Sequence, residues 1–371
     1  MIIARNFVWI YLGFLALPSR ADSGQRAERW SPDEYKEMLS RGLDEVARRI
    51  PPRARRQIEF GMNLFIAHEI WIGVVPQDVL IQAIDACKEA GIDRIDINPG
   101  QYPWLGRDQN GIAKYDTAID RIRRHGLKLA LNPQYSPAKH QVKSFDEWRR
   151  RALSIYAELA RRYKPDIFVV VHEPTTMSGR MNSRATAADW AGFIRETARV
   201  VKQNSPGSRI GAGGLASERE YLEAFLRLPE TEVLTLDIYR LGDLRTCNRL
   251  IREARAAGKP VYIEETWRPP YFQPRPGMTP DSASLKNVGS SEFEALDGRW
   301  LRVITAWAQA NRLEAITPVW IFALFRYVPN GGDLDDPAYN RAVVEAILRG
   351  ERTGTFRALQ ELVRENQALP R

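Results

Sequence analysis

The chain is poor in cysteine, histidine and lysine, and several motifs are missing from it. Of its 371 residues only two are Cys and four are His. Cys87 and Cys247 lie far apart, each in a predicted helix, so they match no zinc-site spacing, and a large α/β core needs no disulfide staple. No H-E-x-x-H motif is present, which leaves little basis for a metal site of that kind. No Gly-rich turn follows the first strand-like segment, where the sequence reads AHEIWIGV over 67–74, and this argues against a dinucleotide-binding fold. Internal repeats, low-complexity tracts and domain linkers are also lacking.

Lysine supplies only 10 of the 54 basic residues, so the net charge of +8 comes from arginine. Basic residues alternate with acids along helices, as in DEWRRRALSIYAELARRY at 146–163. That pattern describes a solvated helix face. A nucleic-acid partner would need basic residues gathered on one face with aromatics among them, and none is expected. The only long apolar run at the start of the chain is Phe7 to Leu17, with Arg5 before it and Ser19-Arg20-Ala21 after it. This is the layout of a secretory signal peptide, and the run is too short to span a bilayer. We therefore expect residues 1–21 to be a signal peptide, and the mature protein to be secreted or periplasmic with no membrane partner after cleavage.

Eight segments read as strands: 58–66, 93–98, 127–132, 166–173, 208–213, 233–239, 259–265 and 315–322. Their Val, Ile and Leu runs suit strands covered on both faces. Amphipathic stretches at 76–90, 113–125, 144–163, 186–204, 217–228, 245–257 and 291–311 alternate with them, and a helical tail follows at 337–369. Gly91, Gly126 and Gly258 stand between a helix and the next strand, where a left-handed cap is expected. Eight β/α alternations point to the α/β class and a single-domain (β/α)8 barrel, with an open doubly wound sheet as the competing fold. Ser31-Pro32 and an acidic first turn start a further helix over 31–50. We divide the chain into a helical segment at 22–57 and a barrel with a C-terminal helix at 58–371. The irregular stretch 266–290 holds five prolines and follows the seventh strand, where a cleft wall or lid is expected.

The segments VVVHEP at 169–174 and VYIEET at 261–266 each end an apolar strand in a carboxylate. A Glu cannot remain in such a core, so Glu173 and Glu265 mark where these strands leave it. Two carboxylates at matching ends of parallel strands equip a site for acid/base and nucleophilic work on a glycosidic bond. Adjacent strand residues face opposite ways. Only one of Glu264 and Glu265 is therefore expected in the cleft, and Glu265 is favoured, with Glu264 turned to the helix layer or paired with an Arg. Other polar residues at these strand ends are Asn63, His68, Asn98, Asn132, Gln134, His172, Tyr239 and Trp320. Asp237 shares a strand face with Tyr239 and reads equally as a buried polar layer or a site residue. Amide and hydroxyl groups suit sugar hydroxyls, and Trp320, Trp267, Trp71 and Trp104 offer flat faces for sugar C–H groups. His125 closes a helix and suits its dipole.

These motifs resemble the clan A retaining glycoside hydrolases, over about residues 58–325. His172-Glu173-Pro174 is similar to the clan's Asn-Glu-Pro after the fourth strand, with His in place of Asn, as in family 26 mannanases. The Glu five residues after Pro260 resembles family 5, and Glu265-Thr266 is similar to family 53 galactanases. Tyr239 and Trp320 match the clan's nucleophile-contacting Tyr and stacking Trp. The resemblance implies a barrel with Glu173 as acid/base and Glu265 as nucleophile. It also implies a carbohydrate substrate bound by His172, Tyr239, Trp320, Asn98, Asn132, Gln134, His68 and Trp267, with no metal or cofactor required. Two other readings remain open. A metal-dependent sugar isomerase or hydrolase could draw ligands from His68, Glu69, His172, Glu173, Asp237 and Glu264. A non-catalytic carbohydrate-binding barrel would use the same surfaces.

Overall fold

The computed structural model describes residues 29–30, 32–51, 55–64, 75–99, 108–133, 142, 144–180, 185–267, 279–280, 290–327 and 337–370. The apolar run at 7–17 and its cleavage site lie outside these residues, as do His68, Trp71, Trp104, Gln134 and most of 266–290. No described helix is long and apolar enough to cross a membrane.

The eight expected strands all form, and they close on themselves. They are β1 (Glu59–Asn63), β2 (Arg94–Ile97), β3 (Lys128–Leu131), β4 (Ile167–Val171), β5 (Arg209–Leu215), β6 (Val233–Ile238), β7 (Val261–Thr266) and β8 (Ala315–Ile316). Each pairs in parallel with its sequence neighbours, and β8 closes the circle by pairing with both β7 and β1. This is the closed (β/α)8 barrel that the alternation predicts. The strand expected at 315–322 is shorter than its apolar run: after Ile316 the chain turns, and a 3-10 turn occupies Ile321–Leu324.

Among the described residues the helices are α1 (Pro32–Arg48), α2 (Gln77–Ala90), α3 (Gln109–Arg124), α4 (Phe145–Tyr163), α5 (Pro174–Arg180) and α6 (Ala187–Asn204). They continue with α7 (Arg219–Leu226), α8 (Leu244–Ala256), α9 (Ser290–Ala310), α10 (Pro337–Leu348) and α11 (Gly354–Gln367). Their starts follow local chemistry. Ser144 and Thr353 accept hydrogen bonds from the first turns of α4 and α11, and Thr186 with Asp189 forms a capping box on α6. Gly91 ends α2 at φ 82°, as its position between helix and strand implies. Helix α1 lies outside the barrel against α9, where Arg299 bonds Asp44 at 2.5 Å. Helix α11 closes the amino end: Asn366 Nδ2 donates to the Ile58 carbonyl at 2.8 Å, and its Oδ1 accepts from Ile58 N at 3.1 Å.

The main core lies between the strands and the helix ring. A smaller cluster fills the barrel itself, with Ala130, Ile167, Val169, Val233, Tyr262 and Ala315. Above it the Tyr262 hydroxyl donates to Asp96, and Thr317 Oγ1 donates to the same carboxylate at 3.2 Å. Cys87 and Cys247 are buried free thiols in α2 and α8. His125 ends α3 and bonds Asp85 through Nε2 at 2.7 Å, the structural role expected of it.

Candidate active site

Two strands break the regular ladder, and they are the two that carry the candidate acids. On β4 the pairing with β5 slips at Val170: Val169 faces Gly211, yet Val171 faces Ala212. On β7 it slips at Glu264: Ile263 faces Leu236, and Glu265 faces Asp237. An extra residue in a strand re-aims the side chains beyond it, and such bulges favour barrel rims.

The β7 slip corrects the expectation about alternation. Both Glu264 and Glu265 enter the carboxyl-end mouth. Glu264 accepts a hydrogen bond from Asn132 Nδ2 at the end of β3, and its Oε2 lies 3.2 Å from His172 Nδ1. Among the described residues it pairs with no arginine, and its carboxylate faces Asn132 and His172 rather than the helix layer. Glu265 accepts from the Tyr239 hydroxyl, and its Oε1 lies 3.6 Å from His172 Nε2. Asn63 donates from Nδ2 to the Glu264 carbonyl at 3.2 Å, which braces the slipped segment.

His172 is the hub of this arrangement. It is buried, and carboxylates face both ring nitrogens: Glu264 and Asp237 at Nδ1, Glu265 at Nε2. Both nitrogens can serve carboxylates only when both carry protons. Burial alone would lower its pKa, but Asp237, Glu264 and Glu265 outweigh burial and raise it well above the ordinary imidazole value. The three buried acids around the ring therefore favour its protonated form.

Burial acts on the acids in the opposite sense. Burial pushes Asp237 well above the usual carboxylate range; His172 opposes this, while Glu173, Glu265 and Glu264 add to it. Burial also raises Glu265, restrained by His172 and by the Tyr239 hydroxyl. Tyr239 is itself pushed well up by burial and by Glu265, so it stays a neutral hydroxyl donor. The charge of Glu173 acts on Glu265, Tyr239 and Asp237, which sets Glu173 at the same mouth. Neither oxygen of Asp237 accepts a hydrogen bond among the described residues, although His172 Nδ1 is 3.6 Å away. His172, Asp237 and Glu264 also have ligand atoms within 4.8 Å of one another, so this trio could hold a cation.

Glu173 differs from its neighbours. It is half-buried and has φ 48°, in the left-handed region. Pro174 disfavours right-handed α backbone at the residue before it and opens α5 as its first residue. A left-handed conformation costs a non-glycine residue about 1–2 kcal/mol. The result is a side chain turned out of the strand at the rim.

The remaining expected residues divide. Asn132 binds Glu264 as described. Asn98 is buried just beyond β2, and its Oδ1 has no partner among the described residues. Trp320 is half-buried and edge-on to Tyr239, with centroids 6.1 Å apart and planes at 69°, and its Nε1 is unpartnered among the described residues. Trp267 is corrected: directly after β7, it packs in the main core at 5% exposure, leaving little ring face for a sugar. His68 and Gln134 lie outside the described residues. Sequence reasoning missed Glu218. This acid sits just past the end of β5 in the segment GGLASE, and its closeness to a strand end was the available signal.

No protein-family model matches the chain, and no curated protein matches it in sequence. Solved structures match it in shape. It is similar to an exo-β-1,4-mannosidase from Opitutaceae bacterium strain TAV5, at 14% identity over 84% of this chain and 60% of that one, with TM-score 0.56. It is similar to a GH5_18 protein from Streptomyces cattleya in complex with GlcNAc, at 13% identity over 85% and 83% of the two chains, with TM-score 0.54. A GH10 endoxylanase from a sugarcane soil metagenome matches at 12% identity over 87% and 99%, with TM-score 0.52. At these identities the likeness is one of fold.

Proposed function

We propose that the protein is a retaining glycoside hydrolase acting on an oligo- or polysaccharide. The observation that carries this reading is Glu265 at the barrel mouth, held by the Tyr239 hydroxyl and beside the His172 imidazolium, with half-exposed Glu173 on the neighbouring rim. A nucleophilic carboxylate must be ionised and aimed. The imidazolium supplies the positive charge that favours ionisation, and the tyrosine fixes one oxygen so that the other is free to attack. Glu173, turned outward, is the general acid: it protonates the leaving oxygen while Glu265 bonds to the anomeric carbon. Glu173 then takes a proton from water, which attacks the glycosyl-enzyme and frees Glu265. Trp320 and Tyr239 form an aromatic edge to receive the sugar's C–H face, and Asn98 offers an unpaired carbonyl to a hydroxyl. The fold relatives that act on mannosides and xylan support the carbohydrate class. An exported enzyme of this kind would meet polymeric substrate outside the cytoplasm.

A metal-dependent reading is supported by the trio of His172, Asp237 and Glu264. The two readings make opposite demands on Glu173. In the retaining mechanism, Glu173→Ala protein still cleaves glycosides with good leaving groups, accumulates the covalent intermediate, and is rescued by azide as a glycosyl azide of retained configuration. If azide rescues nothing and chelation of the wild type abolishes turnover, the metal-dependent reading replaces this one.

A further inference from the structure

Glu218 is a buried acid with no part in the double displacement described above. It lies at the start of α7 with 5% exposure, and its hydrogen bonds converge on the rim segment that carries Glu173. Its Oε1 accepts from Thr175 N at 2.7 Å and from the Thr175 hydroxyl. Its Oε2 accepts from Leu215 N at 2.8 Å. One carboxylate thus ties the chain just after Glu173 to the end of β5. Gly214 leaves room for this clamp: at φ 156°, a Cβ there would stand 2.9 Å from both N and Cα of Glu173 and would collide with Glu218 Oε2. Glu173 itself holds a left-handed backbone that its own side chain does not favour, so something outside residue 173 must maintain it.

We infer that Glu218 is a positioning residue for the general acid: by clamping Thr175 to the end of β5, it holds Glu173 at the angle from which it protonates the leaving group. This deepens the glycosidase reading and rests on it. Two further facts fit. Burial, with the Glu173 charge adding to it, pushes Glu218 up to about 7, so the two acids interact electrically as well as through the backbone. When Glu218 is protonated, the Thr175 hydroxyl can reverse its hydrogen bond and accept, so the clamp survives in either state.

The test compares leaving groups. Wild type, Glu218→Gln and Thr175→Val are assayed on phenyl and 2,4-dinitrophenyl glycosides of β-mannose, β-glucose, β-xylose and β-galactose. Phenol needs a proton to depart, and dinitrophenol does not. In Glu218→Gln we expect kcat/KM on the phenyl glycoside to fall about 10²-fold, the scale of a misplaced catalytic group. On the dinitrophenyl glycoside kcat/KM should change less than about 3-fold, with kcat and KM falling together and azide restoring kcat. Thr175→Val, which removes one of the three bonds, should show the same pattern to a smaller degree. A purely structural role for Glu218 would lower both substrates alike. Equal losses on both, no loss on either, or a Glu218→Gln protein that does not fold overturns the inference. A wild type inert on every glycoside in the series, and on the same aryl glycosides of the corresponding β-1,4-linked oligosaccharides, overturns the glycosidase reading itself.

Discussion

At the amino ends of the strands, Arg94 lies fully buried between Glu59 at 2.6 Å and Glu314 at 3.2 Å, with its guanidinium over the Tyr262 ring. Lys128 joins Glu59, and Arg209 joins Glu314. Three cations there serve two carboxylates. At the carboxyl ends the ratio is reversed, with His172 alone among Asp237, Glu264 and Glu265 and with Glu173 close by. The same barrel therefore keeps the acids of one end satisfied, with Arg94 Nε and Nη1 left unpartnered among the described residues, and leaves the acids of the other end in deficit of cations. The satisfied end has partners that hold its acid down: burial would raise Glu314, but Arg209 and Arg94 keep it below its ordinary value. In the deficit end, Asp237 and Glu265 are both raised. A charge deficit lowers stability and is useful only where charge must act on a substrate.

The contrast can be broken at either end. The largest effect should come from Glu265→Gln, which keeps the shape but removes the nucleophile. We expect kcat to fall by at least about 10⁴-fold, with a melting temperature no lower than that of wild type. A stable Glu265→Gln enzyme with near-normal turnover would refute the site. Next in size is Arg94→Met at the satisfied end. Removing one partner of a buried ion pair costs about 3–5 kcal/mol, so denaturant unfolding should shift strongly while kcat of the folded enzyme stays unchanged. A loss of kcat without a loss of stability would mean that the two ends are not separable.

The pH dependence sharpens the comparison further. Glu218 is raised from 4.5 to about 7 in the folded protein. Between those values the folded state keeps a proton that the unfolded chain has lost, so stability falls as pH rises through this window. The full shift is worth about 3 kcal/mol, and Glu218→Gln should flatten that slope in melts run from pH 4.5 to 7. Glu314, held low, gives stability that is present above 4.5 and is lost as pH drops below it. The smallest effect should be that of Tyr239→Phe: about a 10-fold loss in kcat/KM, with the acid limb of the pH–rate profile moved upward, because the hydroxyl that restrains Glu265 is gone. An unmoved limb would show that Tyr239 does not act on Glu265.

Much of the architecture was legible in the chain. The eight apolar runs became eight barrel strands, and the glycines before β3, β7 and β2 are left-handed caps, with φ of 68°, 70° and 82° that a residue without a Cβ adopts freely. Glu173, His172, Tyr239 and Trp320 meet at one mouth as strand-end counting placed them. Glu264 was misplaced because a period-two rule assumes an unbroken ladder, and no residue of VYIEET announces the slip. Trp267 was misplaced because a tryptophan one residue past a strand serves a core as well as a cleft. Glu218 escaped because its importance lies in which backbone amides it reaches, and that depends on how β5 ends beside β4.

The slips at Val170 and Glu264 mean that the placement of both acids is written in a count rather than in an alphabet. Exchanging Val170 for another apolar residue leaves the tally intact, and the rim should tolerate it. Deleting a single residue from either segment would let the strand zip evenly against its neighbour, and every side chain after that point would change sides. His172 and Glu173 would trade places on one strand, and Glu264 or Glu265 would be expelled from the mouth on the other. Drift in this molecule should therefore be permissive towards spelling in β4 and β7 and intolerant of any change in their length.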